Sequence, residues 1–226
     1  AFHLLPKVHR TDRSSLFITP IAGWNNYNEL LLGTAIYNSV IPFRNFEYYL
    51  APLYGFGDKT INGTGNVKYS LYPERSPFHE IRLSSNYRKF SYLEDTYRAA
   101  SGNLVTDLFA YQRFSPSLTF QFRKPHPRSS IQQAIKAEAV HLWEENVKYN
   151  LEASPVFAKK STLYSDFYRL NYSYKDRRAV DPWNFSLQTE ANKNVFKAEM
   201  ELNYRISYKV LGRGADIRVF GGYTFD

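Results

Sequence analysis

Hydrophobic and polar residues alternate with a period of two along most of the chain, most clearly between Phe196 and Val210. Successive side chains of a β-strand point to opposite faces, so this alternation predicts a strand with one apolar and one polar face. We predict that the apolar set faces lipid and the polar set faces the lumen of a barrel. The predicted lipid-facing residues are Phe196, Met200, Leu202, Tyr204 and Ile206, and the predicted lumen-facing residues are Lys197, Glu199, Glu201, Asn203 and Arg205.

The length of this segment favours a membrane strand. Residues 196–210 make a run of about fifteen residues, whereas strands of soluble proteins usually have about five or six. Strict alternation over such a length is typical of a tilted strand that crosses a bilayer and extends beyond it. The alternative is a long hairpin or a lipocalin-like barrel of a soluble protein, whose apolar face would pack inward.

Similar alternating runs, separated by turn-forming residues, predict about eleven strands. Some connections are predicted to be longer loops, such as the one between Glu94 and Thr106. Bacterial single-chain barrels normally have an even number of strands, so we expect the natural polypeptide to continue beyond Asp226. The predicted strands start near residues 15, 29, 45, 62, 78, 108, 131, 161, 183, 195 and 215.

The resulting prediction is an all-β fold, an antiparallel transmembrane β-barrel of the outer-membrane type that is incomplete in this chain. Residues 15–226 form the barrel, and the basic residues 1–14 form a lead-in segment or linker. No stretch approaches the roughly 18 apolar residues that a membrane-spanning helix needs. The absence of cysteine excludes disulfides and thiolate metal sites.

The composition supports a membrane–water boundary. The chain has 19 Tyr, 17 Phe and 3 Trp but one Met, whereas soluble domains usually rely on Leu, Ala and Val. Rings with an apolar body and a polar tip suit an aromatic girdle. Tyrosines can also stack on sugars or bases, and this ligand platform is the alternative. The tyrosines predicted to lie toward strand ends are Tyr48, Tyr49, Tyr54, Tyr69, Tyr72, Tyr87 and Tyr92.

The net charge of +8 favours contact with phosphate groups. Lysines and arginines are scattered through the chain without a nucleic-acid-binding motif, so we expect no nucleic acid. The expected partners are outer-membrane lipids and lipopolysaccharide, with subunits of a larger outer-membrane assembly as further candidates. We expect Lys197, Arg205 and Arg218 to pair with acidic neighbours on the lumen side, namely Glu199, Glu201 and Asp216.

The five histidines do not predict a catalytic or metal site. His79-Glu80 begins like a zinc-protease helix, but Leu83 stands where the second histidine is needed. His126 lies between two prolines and is expected in a loop. His141 is expected near the end of a strand, in an interfacial or lumen position. We therefore assign no catalytic, cofactor-binding or metal-binding residue and expect no cofactor.

Several segments resemble a known family. They include PIAGWNNYNE at residues 20–29, APLYGFG at 51–57, NGTG at 62–65 and DIRVFGG at 216–222. This pattern resembles the outer-membrane barrel that follows an aminopeptidase-N-like zinc metallopeptidase domain in some Bacteroidota proteins. The resemblance covers most of residues 15–225. Its motifs are strand and turn patterns, and no residue of this chain matches the zinc ligands of the family's upstream domain.

The resemblance implies a non-catalytic membrane domain in a Gram-negative outer membrane. Such a barrel would act as an anchor or scaffold for an attached or associated peptidase domain, or for a larger assembly. Two alternatives stay open at this point. One is a pore or transport barrel for small solutes, and the other is an outer-membrane enzyme whose Ser, His and acidic residues converge at one rim.

Overall fold

The chain folds as eleven β-strands in a computed structural model that describes residues 16–38, 44–151, 157–208 and 213–225. No helix is present in these ranges, and therefore none that is long and apolar enough to cross a membrane. The strands are β1 (Phe17–Asn25), β2 (Glu29–Tyr37), β3 (Phe46–Gly55), β4 (Ile61–Leu71), β5 (Phe78–Arg98), β6 (Leu104–Phe122), β7 (Ile131–Asn150), β8 (Phe157–Asp176), β9 (Trp183–Ala191), β10 (Phe196–Ser207) and β11 (Gly214–Phe225).

All eleven strands belong to one antiparallel sheet in which each strand pairs with its neighbours in sequence. Over the described residues the sheet is not closed into a barrel, because β1 and β11 stand at opposite ends of the strand order. The all-β, antiparallel prediction with eleven strands is therefore confirmed. The predicted lead-in segment at residues 1–14 lies outside the described residues.

The chain divides into two compact units, each built from segments of several strands. Unit 1 comprises the described parts of residues 1–68, 85–115 and 141–165. Unit 2 comprises the described parts of residues 69–84, 116–140 and 166–226.

Glycines let the first strands of unit 1 approach closely. A Cβ atom at Gly33 of β2 would collide with the carbonyl oxygen of Pro52 in β3. Gly63 of β4 has a φ of 136°, which favours glycine, and a Cβ there would collide with the carbonyl oxygen of Ala51. The glycines at these two positions therefore allow the backbones of β2, β3 and β4 to pack against one another.

Most predicted strand starts agree with the structure to within two residues, but the long loop predicted between Glu94 and Thr106 is wrong. β5 continues to Arg98 and β6 begins at Leu104, so only residues 99–103 form the turn. Thr96 Oγ1 lies 2.7 Å from Thr106 Oγ1, and Tyr97 Oη donates to Asp107 Oδ2 at 2.6 Å. These cross-strand hydrogen bonds keep the polar residues at the ends of β5 and β6 paired as strands. The polar composition of this segment does not by itself predict a strand.

The same hairpin contains a small buried core. Phe109 of β6 is fully buried and packs with Tyr97 of β5 and Ala158 of β8. Lys160 Nζ lies 5.4 Å from the centre of the Phe109 ring, an arrangement that allows a cation–π contact. The core therefore supports β5, β6 and β8 within unit 1.

Candidate lipid-facing surface

The strand register of unit 2 assembles one continuous apolar face from β8 to β11. Met200 of β10 lies opposite Leu187 of β9 on one side and Gly221 of β11 on the other. The next row on this face joins Leu202 to its two partners, Phe185 and Val219. Direct partners in adjacent strands share a face, so the apolar residues of the four strands form a single surface. The β8 members of this surface are Tyr168, Leu170, Tyr172 and Tyr174.

Aromatic side chains border this face at both ends of the strands, and the rows between them combine aliphatic residues with Tyr172 and Phe185. At one end Tyr174 stacks on Trp183 with ring centres 4.6 Å apart, and Tyr204 lies directly opposite Trp183. At the other end Phe196 packs against Phe225 at 5.9 Å. In outer-membrane barrels, aromatic girdles border the lipid-facing band in a similar way.

The height of the apolar face matches a bilayer. Phe196 and Ile206 lie ten residues apart on β10, a distance of about 33 Å along a strand. A tilt of about 40°, which is usual for outer-membrane strands, reduces this length to a height of about 25 Å. The apolar band of outer-membrane barrels is also about 25 Å tall.

The apolar face is open rather than packed. Leu170 exposes 50% of its surface, Met200 45% and Val219 50%. A soluble protein rarely leaves a contiguous apolar patch of this extent uncovered. The apolar face is therefore uncovered in the chain by itself.

The opposite face of unit 2 carries ion pairs. Arg169 donates to Glu190 Oε2 through Nε at 2.9 Å, and its Nη1 lies 3.5 Å from Glu138 Oε2. The three pairings expected for this region are also formed. They are Lys197–Glu199 at 2.5 Å, Arg218–Glu201 at 2.8 Å and Arg205–Asp216 at 3.8 Å.

The two residue sets predicted for β10 therefore lie on opposite faces of the sheet. Lys197, Glu199, Glu201, Asn203 and Arg205 share the face that carries the ion pairs, while Phe196, Met200, Leu202, Tyr204 and Ile206 share the apolar face. Phe220 is an exception on β11, because it stands opposite Glu201 on the polar face and is 58% exposed. Which face meets lipid stays a prediction.

Unit 1 shows the same layering on β1–β3. Ile18 pairs with Ile36, and Ile36 pairs with Leu50, so the aliphatic residues of the three strands share one face. Trp24 stands at the end of this face and is 69% exposed. Tyr54 and Phe56 form an edge-to-face pair at the same end, with ring centres 5.3 Å apart. An exposed apolar face with an aromatic border thus occurs in both units.

The predicted strand-end positions are wrong for Tyr87, Tyr92 and His141. β5 runs from Phe78 to Arg98 and β7 from Ile131 to Asn150, so all three side chains lie inside strands that are longer than expected. His141 Nδ1 lies 2.8 Å from Tyr164 Oη, and the two rings are stacked.

The sequence does not favour a metal site at His79. His79 packs edge-to-face against Tyr72 with ring centres 5.9 Å apart. In the part of the chain that the structure describes, no group of three His, Cys, Asp or Glu side chains is placed to hold a metal ion. The aromatic contact of His79 is typical of a packing role.

A polar cluster ties two turns of unit 1 to β5, and we call Asn28, Asp58 and Ser91 the turn clamp. The fully buried Asn28 donates from Nδ2 to Asp58 Oδ2 at 2.6 Å and to Ser91 Oγ at 3.1 Å. Ser91 Oγ also donates to Asp58 Oδ2 at 2.9 Å. A Cβ atom at Gly55 would collide with Asp58, so glycine is needed beside the clamp.

Hydrogen bonds hold the Asp58 carboxyl in its charged form. Burial by itself would raise the pKa of Asp58, but hydrogen bonds from Thr60, Asn62 and Ser91 outweigh burial, and the pKa lies below its ordinary value. Asp58 lies in the turn between β3 and β4, outside the strands. The clamp therefore contains a buried network whose central acceptor is a carboxylate.

Comparison of the chain with family models, with curated proteins and with solved structures found no match.

Sequence reasoning missed two features of unit 1. The turn clamp joins residues 63 positions apart, such as Asn28 and Ser91, and no local pattern indicates that contact. Lys89 was also missed, although it follows Tyr87 at a spacing of two and so lies on the same face of β5 as that aromatic residue. The signal in the sequence was that a charged residue lies on the same strand face as an aromatic one.

Proposed function

We propose that this chain is a non-catalytic β-barrel domain of a Gram-negative outer membrane that acts as a membrane anchor or scaffold. The observation that carries the proposal is the exposed apolar face of β8–β11 between two aromatic borders, with ion pairs on the opposite face. Lipid would cover the first face and water the second.

The physical reason is the difference between the two faces. Transfer of apolar surface out of water is favourable by roughly 25 cal/mol per Å², so a face with residues such as Met200 and Val219 gains from contact with hydrocarbon. Charged side chains on the other face gain from water and from each other. In a bilayer every backbone group needs a hydrogen-bond partner, so the sheet would have to close or be completed by further strands.

The anchoring role is supported by the resemblance of residues 20–29 and 51–57 to the barrel that follows a zinc metallopeptidase domain. We propose that this domain holds an attached or associated peptidase domain, or a larger outer-membrane assembly, at the membrane surface. Outer-membrane lipids and lipopolysaccharide are the proposed direct contacts. The proposal gives this chain no catalytic role.

The three tryptophans provide the test. Trp24, Trp143 and Trp183 belong to the apolar faces or their borders, so in a membrane they would report on the lipid environment. We would fold the chain into vesicles whose lipids carry bromine either near the headgroup or deep in the acyl chain. We expect a blue-shifted emission relative to urea-unfolded chain, with stronger quenching by the shallow bromine, because Trp24 and Trp183 lie at the aromatic borders.

Two results would contradict the proposal. One is a monomeric, folded chain in buffer without detergent or lipid, with emission that brominated vesicles do not quench. The other is a steady open current across planar bilayers. This result would contradict the anchoring role alone, because it would favour the transport alternative. Each variant Trp24→Phe and Trp183→Phe serves as a control, because removal of one border tryptophan should reduce the shallow quenching without loss of folding.

A further inference from the structure

A groove of about 610 Å³ crosses the apolar face of unit 1 between β3 and β6. Its volume falls within the range of about 300–1,000 Å³ that is usual for small-molecule pockets. Gly63, Gly65 and Pro52 leave the centre of the groove without large side chains. A Cβ atom at Gly65 would come within 3.0 Å of Leu50 Cδ2, so even a small side chain there would narrow the groove.

Aromatic side chains form the far wall of the groove. Tyr87 of β5 is 41% exposed and Phe114 of β6 is 37% exposed. Tyr87 Oη donates to Gln112 Oε1 at 3.1 Å, which fixes the tyrosine ring across the two strands. The same three residues, together with Trp143 and Thr162, line an adjoining cavity of about 300 Å³. The wall is therefore ordered and mostly apolar.

Lys89 is the one charged side chain among the residues that line this groove. Lys89 is half-buried, and no ion pair joins it to another residue of the described ranges. Within the described ranges, Lys89 therefore presents a cation that no carboxylate neutralises. An anionic group on a ligand would neutralise the charge of Lys89. The groove therefore combines an apolar channel with a cation that can pair with an anion.

Lys89 lies on β5 close to the end of the groove that the turn clamp marks. Ser91, two residues further on the same face, contacts the turns that end the β1–β2 and β3–β4 hairpins through the turn clamp. Tyr87 lies two residues before Lys89 on the same face of β5, further from the turn clamp. The β5–β6 hairpin continues beyond the clamp to Arg98 and Leu104, and we take this protruding end as the outer side of the membrane.

We propose that this groove is a binding site for one lipopolysaccharide molecule, with an acyl chain along Gly63 and Gly65 and a lipid A phosphate on the Lys89 ammonium group. The inference rests on the proposed membrane function and names a specific lipid contact for it. Leu50, Tyr87 and Phe114 supply apolar contact along the acyl chain, while the phosphate supplies the counter-ion that Lys89 lacks.

Native mass spectrometry of the folded chain in detergent tests the charge contact. The probes are purified lipid A with both phosphates and the same lipid A after enzymatic dephosphorylation. We expect the chain to bind the phosphorylated form about tenfold or more tightly, as one charge-assisted contact predicts. Lys89→Gln should remove this preference. Lys193→Gln removes an exposed lysine from the β9–β10 turn and should leave the preference unchanged.

A second pair of variants tests the groove. Gly65→Val should weaken the binding of both forms of lipid A by about tenfold, because the added side chain fills the channel. Gly221→Val adds the same side chain to the apolar face of β11, where nothing lies within 4 Å, and should leave binding unchanged.

The folded state of every variant is first checked by heat-dependent gel mobility and by protease resistance in vesicles. A wild-type chain that inserts into vesicles but binds both forms of lipid A equally would overturn the site and leave the membrane function intact. The site is likewise overturned if Lys89→Gln keeps the full preference for phosphate. A chain that never inserts would overturn the membrane function itself.

Discussion

Arg218 of β11 donates from Nε to Glu201 Oε1 of β10 at 2.8 Å and joins the polar faces of the last two strands. The two side chains are 66% and 31% exposed, so the pair is largely accessible from the polar side. Asn203 Nδ2 donates to the same carboxylate oxygen at 2.8 Å. The arrangement is that of a hydrated polar surface rather than of a dry, buried ion pair.

The exposure of this pair predicts a small coupling energy. A double-mutant cycle of Glu201→Gln and Arg218→Gln should give a coupling of about 0.2–1 kcal/mol, as for other exposed ion pairs, and the coupling should fall as salt is added. Urea unfolding in lipid vesicles measures all four free energies of unfolding. A salt-independent coupling above about 2 kcal/mol would mean that water does not reach the polar face.

Neighbouring residues of β10 should respond in opposite ways to the same added charge. Leu202→Arg places a guanidinium in the middle of the apolar face and should lower the free energy of unfolding by about 2–4 kcal/mol in vesicles. Asn203→Arg places it on the polar face beside Glu201 and should cost less than about 1 kcal/mol. Equal costs for the two variants in the same urea titration would rule out the proposed assignment of faces.

Loss of the clamp carboxylate should destabilise unit 1. In Asp58→Ala, the buried Asn28 amide and the Ser91 hydroxyl lose an acceptor, which should cost about 1–3 kcal/mol of unfolding free energy. Asp216→Ala is the matched control, since Asp216 is 73% exposed and its partner Arg205 lies 3.8 Å away. The control should change stability by less than about 0.5 kcal/mol. The idea of a clamp fails if both variants unfold at the same urea concentration.

Acid should remove the contribution of Asp58. Its pKa is lower in the folded chain than the value of about 3.9 in an unfolded chain, so the unfolded state binds the proton more readily. The stabilisation is present above about pH 4 and is lost as the pH falls through the folded pKa. The difference in stability between the wild type and Asp58→Ala should therefore be larger at about pH 7 than at about pH 3. A difference that grows on acidification would contradict the assigned direction.

The sequence predicts those parts of the fold that local alternation determines. The two faces of β10 follow from the period-two pattern of residues 196–207, and the β9–β10 turn follows from Asn192 and Asn194. The pairings of Arg218 with Glu201 and of Lys197 with Glu199 also follow, because opposite charges on one face lie within reach. These features depend on residues that are near one another in the chain.

Long-range contacts account for what the sequence did not predict. The extension of β5 depends on contacts of Tyr97 with Asp107 and with Phe109 on the next strand. The polar residues on either side of Tyr97 resemble loop residues when considered alone. The turn clamp depends on Asn28 and Ser91, which meet because β5 runs past the ends of shorter hairpins. The groove depends on the absence of side chains at Gly63 and Gly65, whose effect is visible only once three strands are placed side by side.

The neighbour-to-neighbour order of the strands also has a kinetic consequence. Because every strand pairs with the strands before and after it in the chain, each step of assembly closes only a short loop, and the entropic cost of closure grows slowly with loop length. Fold topologies dominated by such local pairings form faster than those that need distant strands to meet. The sheet can therefore grow one strand at a time, because each new strand adds to the edge formed by its neighbour in sequence.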